Sequence, residues 1–429
     1  MWRRHAPGPP KLPESEKCDY TDIFISINKT MNDWSAPAGA PESVAAPDGD
    51  SVIATTPGTD APSAAQPLAF AFSGSGAEYF RIWIVNLLLT VVTLGVYSAW
   101  AKTRRLQYFY RNTRLADASF DFRGDPKAIL RGRILAVLLL AGGYVASGFS
   151  ATAALLTVIL LLAGLPYILC SALRFRLANT WYRGLPFGFG DALGKAYFVY
   201  LLPVAVYMLP DVVDEIMPDS TLLNIAILLY VSLPLLHGAT KGYQHRHLMY
   251  GDQRAGFALS NARLAKPYVP VILVLAGIFV VLMIAAVALI LVARSHPEAG
   301  TWLRIADDLG SFGAAVIVCG LFILIGSPFI TVRMDNLAWS ATSFPGVRIA
   351  CEMQPRAYLR LQAENFVLTL LTLGLFRPFA AVRTWRYRLA HVHVHAPHGF
   401  ELATMMAARP LEAAGGDGMA DFLSLDLSW

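Results

Sequence analysis

The chain has 429 residues, of which 55% are hydrophobic and only 15% charged, with a mean hydropathy of +0.47. Soluble domains carry about 25% charged residues, so this composition excludes an ordinary soluble globule and points to a multi-spanning membrane protein. The formal net charge is +5; four cysteines without CxxC spacing (Cys18, Cys170, Cys319, Cys351) imply neither a disulfide framework nor a zinc ribbon.

Residues 1–66 are rich in Pro, Ala, Ser, Asp and Gly, as in "APAGAPESVAAPDGDSVIATTPGTDAPSAAQP". Such a segment has too little apolar surface to offset the entropy of ordering and is expected to be a disordered N-terminal tail. Its start, "MWRRHAPGPPKLPESEK", has no apolar core of signal-peptide length. Insertion then rests on internal spans within a membrane domain expected over 67–402, with a short acidic tail at 403–429.

The first apolar element runs from Tyr79 to Arg104 and is interrupted by Leu94-Gly95. Beyond it, no Asp, Glu, Lys or Arg occurs between Arg133 and Arg174, and "SGFS" divides that stretch into two helices. Further charge-free windows cover Ala196 to Pro210, Thr221 to Thr240, Pro267 to Ala293 and Ser311 to Val332. A crossing helix needs about 20 apolar residues, and these windows predict six full spans. Basic residues crowd the connectors at 102–133, 174–195, 241–266 and 333–360, while "DVVDEIMPDS" between two spans is acidic. Positive connectors face the cytoplasm, so sites near Asp117, Arg183, Asp252 and Gly346 are expected inside, and sites near Asp214 and Pro297 outside.

The basic connectors resemble one another. Stretches beginning at Ala99 ("AWAKTRRLQYFYRNTRLADASFDF"), Pro166, Pro234, Pro328 and, more divergent, Pro378 each pass from a helix into β-prone residues around a turn signal. The fold class expected is therefore an α-helical polytopic membrane protein with internal repeats and short cytoplasmic β-hairpins between helices. A second correspondence spans the molecule: "TLGVYSAWAKTR" from Thr93 returns 279 positions later (372 − 93) as "TLGLFRPFAAVR" from Thr372. Tyr79, Arg81, Asn86, Thr90, Gly95 and Arg104 match Tyr358, Arg360, Asn365, Thr369, Gly374 and Arg383. Two such exits cannot both be ordinary spans, because the span ending near Val332 has already returned the chain to the cytoplasm. The economical expectation is two short or re-entrant helices, broken at Leu94-Gly95 and Leu373-Gly374 where a Cβ would crowd the turn. The rival is a true first span with the tail outside.

The stretch "FSGSGAEYFRIWIVNLLLTVVTLGVYSAWAKTRRLQYFYRNTRL" resembles the signature of the YjgN-type family of bacterial inner-membrane proteins, a domain-of-unknown-function group. The resemblance implies a polytopic protein of the cell inner membrane and supplies no activity, cofactor or site residue.

Three constellations are candidates for function. Asn86, Thr90 and Thr93 share a helix face, and Asn365, Thr369 and Thr372 repeat them. Such stripes line a solute path in some transporters and, more often, hold helices together. Trp100, Lys102, Arg104, Arg105, Arg111 and Arg383 suit anionic lipid headgroups on the cytoplasmic side, either as a specific site or as general anchoring. In "HVHVHAPH", His391, His393 and His395 alternate on one strand face and hold a metal only if the strand bends or further histidines join them.

No nucleophile elbow, phosphate loop or zinc-protease motif occurs, so no enzyme, no cofactor and no nucleic-acid partner are expected. Two functions fit: passage or transport of a small solute, or a structural or lipid-organising scaffold. Oligomeric state is not legible.

Overall fold

A computed structural model describes residues 67–190, 193–218, 220–294, 313 and 316–396. The expected tails at 1–66 and 403–429, the site at Pro297 and the last histidine of the HVHVHAPH stretch, His398, lie outside the described residues. After strand β1 (Leu68–Phe72), the chain repeats one order of elements: two helices, then a strand hairpin.

The first module has α1 (Gly76–Val92), α2 (Ser98–Arg111), β2 (Thr113–Leu115) and β3 (Ala118–Phe122). The second has α3 (Pro126–Ser147), α4 (Ala151–Ala178), β4 (Thr180–Tyr182) and β5 (Leu185–Phe189). The third has α5 (Leu193–Ile216), then α6 (Thr221–Leu228) continuing through a 3-10 turn into α7 (Leu233–Arg246), then β6 (Leu248–Tyr250) and β7 (Gln253–Arg254). After β8 (Gly256–Phe257), the fourth has the short α8 (Asn261–Ala265), α9 (Tyr268–Arg294), α10 (Ser327–Ser340), β9 (Thr342–Phe344) and β10 (Val347–Cys351). The fifth has α11 (Pro355–Leu371), α12 (Arg377–Ala390) and β11 (Val392–His395).

Every strand among the described residues belongs to one antiparallel sheet in the order β7-β6-β5-β4-β3-β2-β1-β11-β10-β9-β8. The ends of that order, β7 and β8, are separated in the chain only by Ala255, whose N–H donates to the Leu248 carbonyl at 2.9 Å. The sheet thus closes on itself, which removes the free edges that isolated hairpins would present. The fifth module supplies one strand, and β1 fills the remaining place by pairing with both β11 and β2.

Turn chemistry explains the hairpins. Ala116-Asp117 and Arg183-Gly184 both hold consecutive positive φ angles (44° and 62°; 47° and 79°), the two-residue turn that suits strand twist. Pro345-Gly346 places Pro before a glycine at φ 73°, where Gly meets no steric cost.

Each helix pair starts and ends at one point. The N–H of the residue leading into a pair donates to the carbonyl of the residue ending it: Ser73 to Asn112 at 3.0 Å, Arg123 to Asn179 at 2.9 Å and Gly190 to His247 at 2.6 Å. Ala258 to Ala341 at 3.4 Å and Glu352 to His391 at 2.9 Å complete the set. All five pairs therefore leave from, and return to, the same rim of the barrel, and the hairpin turns lie at the other rim. The first pair is accordingly a turned-back hairpin rather than a lone first span.

Among the described residues six helices are long and apolar enough to cross a membrane: Pro126–Ser147, Ala151–Ala178, Leu193–Ile216, Thr221–Arg246, Asn261–Ala288 and Val316–Ser340. They correspond to the six charge-free windows but run past them into charged residues, because the helices continue to the barrel rim. Helices of 22 to 28 residues are about 33–42 Å long, whereas the 17 residues of α1 or α11 reach about 25 Å. Between none and 22% of each span's most apolar window is buried; the core lies instead at the helix bases. There Phe122, Ile129 and Phe175 are essentially fully buried with Ala99, and side chains of that size contribute about 1.5–3 kcal/mol each on burial.

The matched turns at 93–97 and 372–376 are the same conformation. Leu94 and Gly95 have φ 49° and 91°; Leu373 and Gly374 have φ 50° and 93°. One expectation is corrected: a Cβ built on either glycine meets nothing within 4 Å, so crowding is not the reason for Gly. The positive φ alone is.

Candidate functional site

The barrel interior is a cavity of about 540 Å³, within the range of about 300–1,000 Å³ usual for small-molecule sites. Its wall comes from inward positions of the strands, where Phe70, Phe120, Tyr182, Phe187, Tyr250 and Phe344 form an aromatic belt. Neighbouring rings pack together: Phe120 stacks on Tyr182 at 4.5 Å between centroids, and Phe187 lies tilted against Tyr250 at 4.8 Å. The Tyr182 hydroxyl donates to the Leu115 carbonyl (2.7 Å) and the Tyr250 hydroxyl to the Tyr182 carbonyl (3.0 Å). Burial raises both phenol pKa values, so these groups stay neutral donors. Trp339 from α10 and Trp385 from α12 line the helix end of the cavity, and Pro345 and Gly346 the hairpin end.

One wall is charged. Asp335, on α10, is 1% exposed and accepts Lys241 Nζ from α7 at 3.4 Å and Arg388 Nη2 from α12 in a close contact. Three modules thus converge on one carboxylate, and Asp335 and Arg388 both face the cavity. Beside them the Cys351 thiol donates to Asn336 Oδ1 at 3.3 Å. Burial and the Asp335 charge push its pKa up to about 11, which makes it a poor nucleophile at neutral pH.

Sequence reasoning missed this triad. Asp335 was legible only as an acid inside a basic connector, one turn beyond an apolar window, and nothing local shows that Lys241 and Arg388 meet it.

The polar stripes lie elsewhere. Thr90 and Thr93 return their hydroxyls to the carbonyls of Asn86 (2.6 Å) and Leu89 (2.7 Å), and Thr93 Oγ1 accepts Tyr97 N–H at 2.9 Å. Thr372 does the same with Leu368 (2.7 Å) and Phe376 N–H (2.9 Å), and the Thr369 carbonyl accepts Gly374 N–H at 2.7 Å. These residues shape the turns. Asn86 and Asn365 are buried, and neither lines the cavity.

The headgroup candidates divide. Arg104 and Arg105 are exposed, with the Arg104 guanidinium 5.7 Å from the Tyr97 ring centre. Trp100 is half-buried and stacks on Tyr97, and Lys102 is half-buried. Arg111 binds Asp121 at 2.8 Å. Arg383 turns inward to Glu364 at 2.7 Å and Asn365 at 3.2 Å.

The histidines do not converge. Among the described residues no three His, Cys, Asp or Glu side chains group as metal ligands do. His391 precedes β11, where its Nδ1 lies 2.8 Å from the Tyr387 carbonyl. His247 closes α7 on Tyr243 in the same way (2.8 Å), and Asn112 and Asn179 close their helices on Tyr108 (2.9 Å) and Phe175 (2.8 Å). A side chain able to cap the last helical turn explains Asn and His at these matched positions. His393 and His395 sit in β11, paired with Ala350 and Arg348 of β10.

Fold and site together define a class: a multi-pass membrane protein whose helix pairs rise from a closed barrel. Its relatives narrow this. The chain belongs to the DUF898 family of bacterial proteins of unknown function, which matches residues 67–422. It is 24% identical over 341 residues to inner membrane protein YjgN of Salmonella typhimurium, covering 72% of this chain and 84% of that protein. It is 30% identical over 143 residues to inner membrane protein YjgN of Escherichia coli K12, covering 32% of this chain and 35% of that protein. No solved structure matches.

Proposed function

We propose that this protein is a non-enzymatic membrane module that holds a small, mainly apolar solute inside the barrel and permits its exchange with the bilayer. The observation that carries this reading is the cavity, lined by side chains from the helix rim to the hairpin rim. The same reading treats the five modules as copies of one ancestral unit. Their hairpins then share the cytoplasmic compartment, and the first and last helix pairs enter only part of the bilayer. Their tips support this: Leu94 and Leu373 are 95% and 93% exposed at the far end of pairs only about 25 Å long, against a hydrocarbon core of about 30 Å.

The test is native mass spectrometry of the protein purified in mild detergent. A bound small molecule should be present in the wild type and lost in Val347→Trp, which fills the cavity. Labelling of cysteines at Asp117, Arg183 and Gly346 from the cytoplasmic side only would support the topology.

A scaffold is the second reading, favoured by the low burial of the spans and by threonines that spend their hydroxyls on turns. An empty barrel in every preparation, with unchanged lipid organisation needs met by Val347→Trp, would favour it.

A further inference from the structure

Among the described residues the aromatic cavity has one cationic donor in its wall. Asp335 and Arg388 line it, and Lys241 stands behind Asp335 at 3.4 Å. Two basic side chains face one acidic side chain, a formal excess of one positive charge. The Asp335 oxygens are both occupied, Oδ1 by Lys241 and Oδ2 by Arg388. Arg388 spends only Nη2 on that contact; among the described residues no hydrogen bond takes its Nε or Nη1.

The other polar groups of the wall are largely committed. Tyr182 and Tyr250 donate to backbone carbonyls. Thr180 donates to the Arg176 carbonyl at 2.9 Å. Thr113 donates to the Phe109 carbonyl at 2.8 Å and accepts Trp385 Nε1 at 3.1 Å. Gln253 stands apart, in the β7 strand.

Burying a net charge without a counter-charge is costly. A guanidinium with unspent donors is suited to a carboxylate or phosphate oxygen, while the aromatic belt offers only apolar contact. We propose that the barrel binds a single-chain amphiphile carrying one anionic head, with the head on Arg388 and the chain along the rings of Phe120, Tyr182, Tyr250 and Phe344. One anion makes the triad neutral. A cavity of about 540 Å³ suits one chain rather than a two-chain lipid. A free fatty acid and an anionic lysolipid both supply such a head and share this chemistry. The inference rests on the barrel being a solute site, as proposed above.

The experiment uses the full chain in neutral-lipid nanodiscs and a fluorescent polyene fatty acid, with the alcohol of the same chain as its neutral partner. The acid should bind at least about 10-fold tighter than the alcohol, as expected for a charge-assisted hydrogen bond. Arg388→Gln should bring the acid-to-alcohol affinity ratio close to one. Because this variant also weakens the triad, the acid-to-alcohol ratio in the wild type is decisive and needs no variant. Displacement of the acid by lysophosphatidylglycerol, but not by zwitterionic lysophosphatidylcholine, would identify the lysolipid source; displacement by unlabelled fatty acid alone would identify the free acid. Equal binding of acid and alcohol overturns the anionic head while leaving the solute reading intact. Binding of neither overturns the solute reading itself.

Discussion

The first and last helix pairs share a backbone and differ in what surrounds it. Both turn through Leu-Gly at the same positive φ angles, both close on a threonine hydroxyl, and both bury an asparagine at the same place. Yet Asn365 donates to Thr384 Oγ1 at 3.2 Å and accepts Arg383, which also holds Glu364, whereas Asn86 Oδ1 is buried with no hydrogen-bond partner among the described residues. The cause is one position away: Val85 stands where the last pair has Glu364, so no carboxylate draws Arg104 inward, and it lies over Tyr97 instead. Similarly, Phe109 occupies the place of Arg388, so only the last pair reaches the charged wall of the cavity. Local rules preserve the hairpin, and neighbouring side chains decide its electrostatics.

The sharpest way to break the comparison is to make the last pair like the first at its base. Arg388→Phe should destabilise the protein by about 3–5 kcal/mol, because it removes one partner from a buried ion triad; a thermal melt in detergent reads this, and a loss below about 1 kcal/mol would show that Lys241 alone satisfies Asp335. Next in size are the turns. Gly95→Val and Gly374→Val should each cost about 1–3 kcal/mol, equally, since a β-branched residue at φ near 90° is strained and no contact distinguishes the two sites. Unequal losses would show that the matched turns bear different loads.

The asparagines should then part. Asn365→Leu should cost about 1–3 kcal/mol by removing the partner of Arg383, while Asn86→Leu should be neutral or stabilising, since it removes an unsatisfied buried oxygen. Denaturant unfolding of the two variants side by side checks the sign. Glu364→Val, which copies Val85, should cost only about 0.2–1 kcal/mol, because both partners are more than a third exposed.

The smallest effect is acid sensitivity in the first module. Burial works against ionisation of Asp121, but hydrogen bonds from Arg111 and Arg123 outweigh it and hold the carboxyl below its ordinary pKa. Its stabilising contribution is therefore complete above the ordinary aspartate pKa and is lost as pH falls through the lowered one. Arg123 lies 4.4 Å from the Trp181 ring centre, so tryptophan fluorescence should report the change, and Asp121→Asn should abolish that acid step.

The sequence by itself determined the membrane class, the six apolar spans, the hairpin turns and the matched helix exits. These depend on short-range physics: apolar length against bilayer thickness, Pro and Gly at turn positions, and Thr or Asn near a helix end. The alternation of Phe120, Tyr182, Phe187 and Tyr250 was also present, but as isolated β-prone residues. What only the tertiary structure decided is closure. β1 completes the fifth hairpin from the opposite end of the described chain, Ala255 joins the two ends of the sheet, and the ring of strands then encloses a cavity that no single hairpin contains. Closure also brings Lys241, Asp335 and Arg388 together across separations of 94 and 53 residues. No periodicity records contacts at such distances, because the side chains meet only once every strand has found its neighbour.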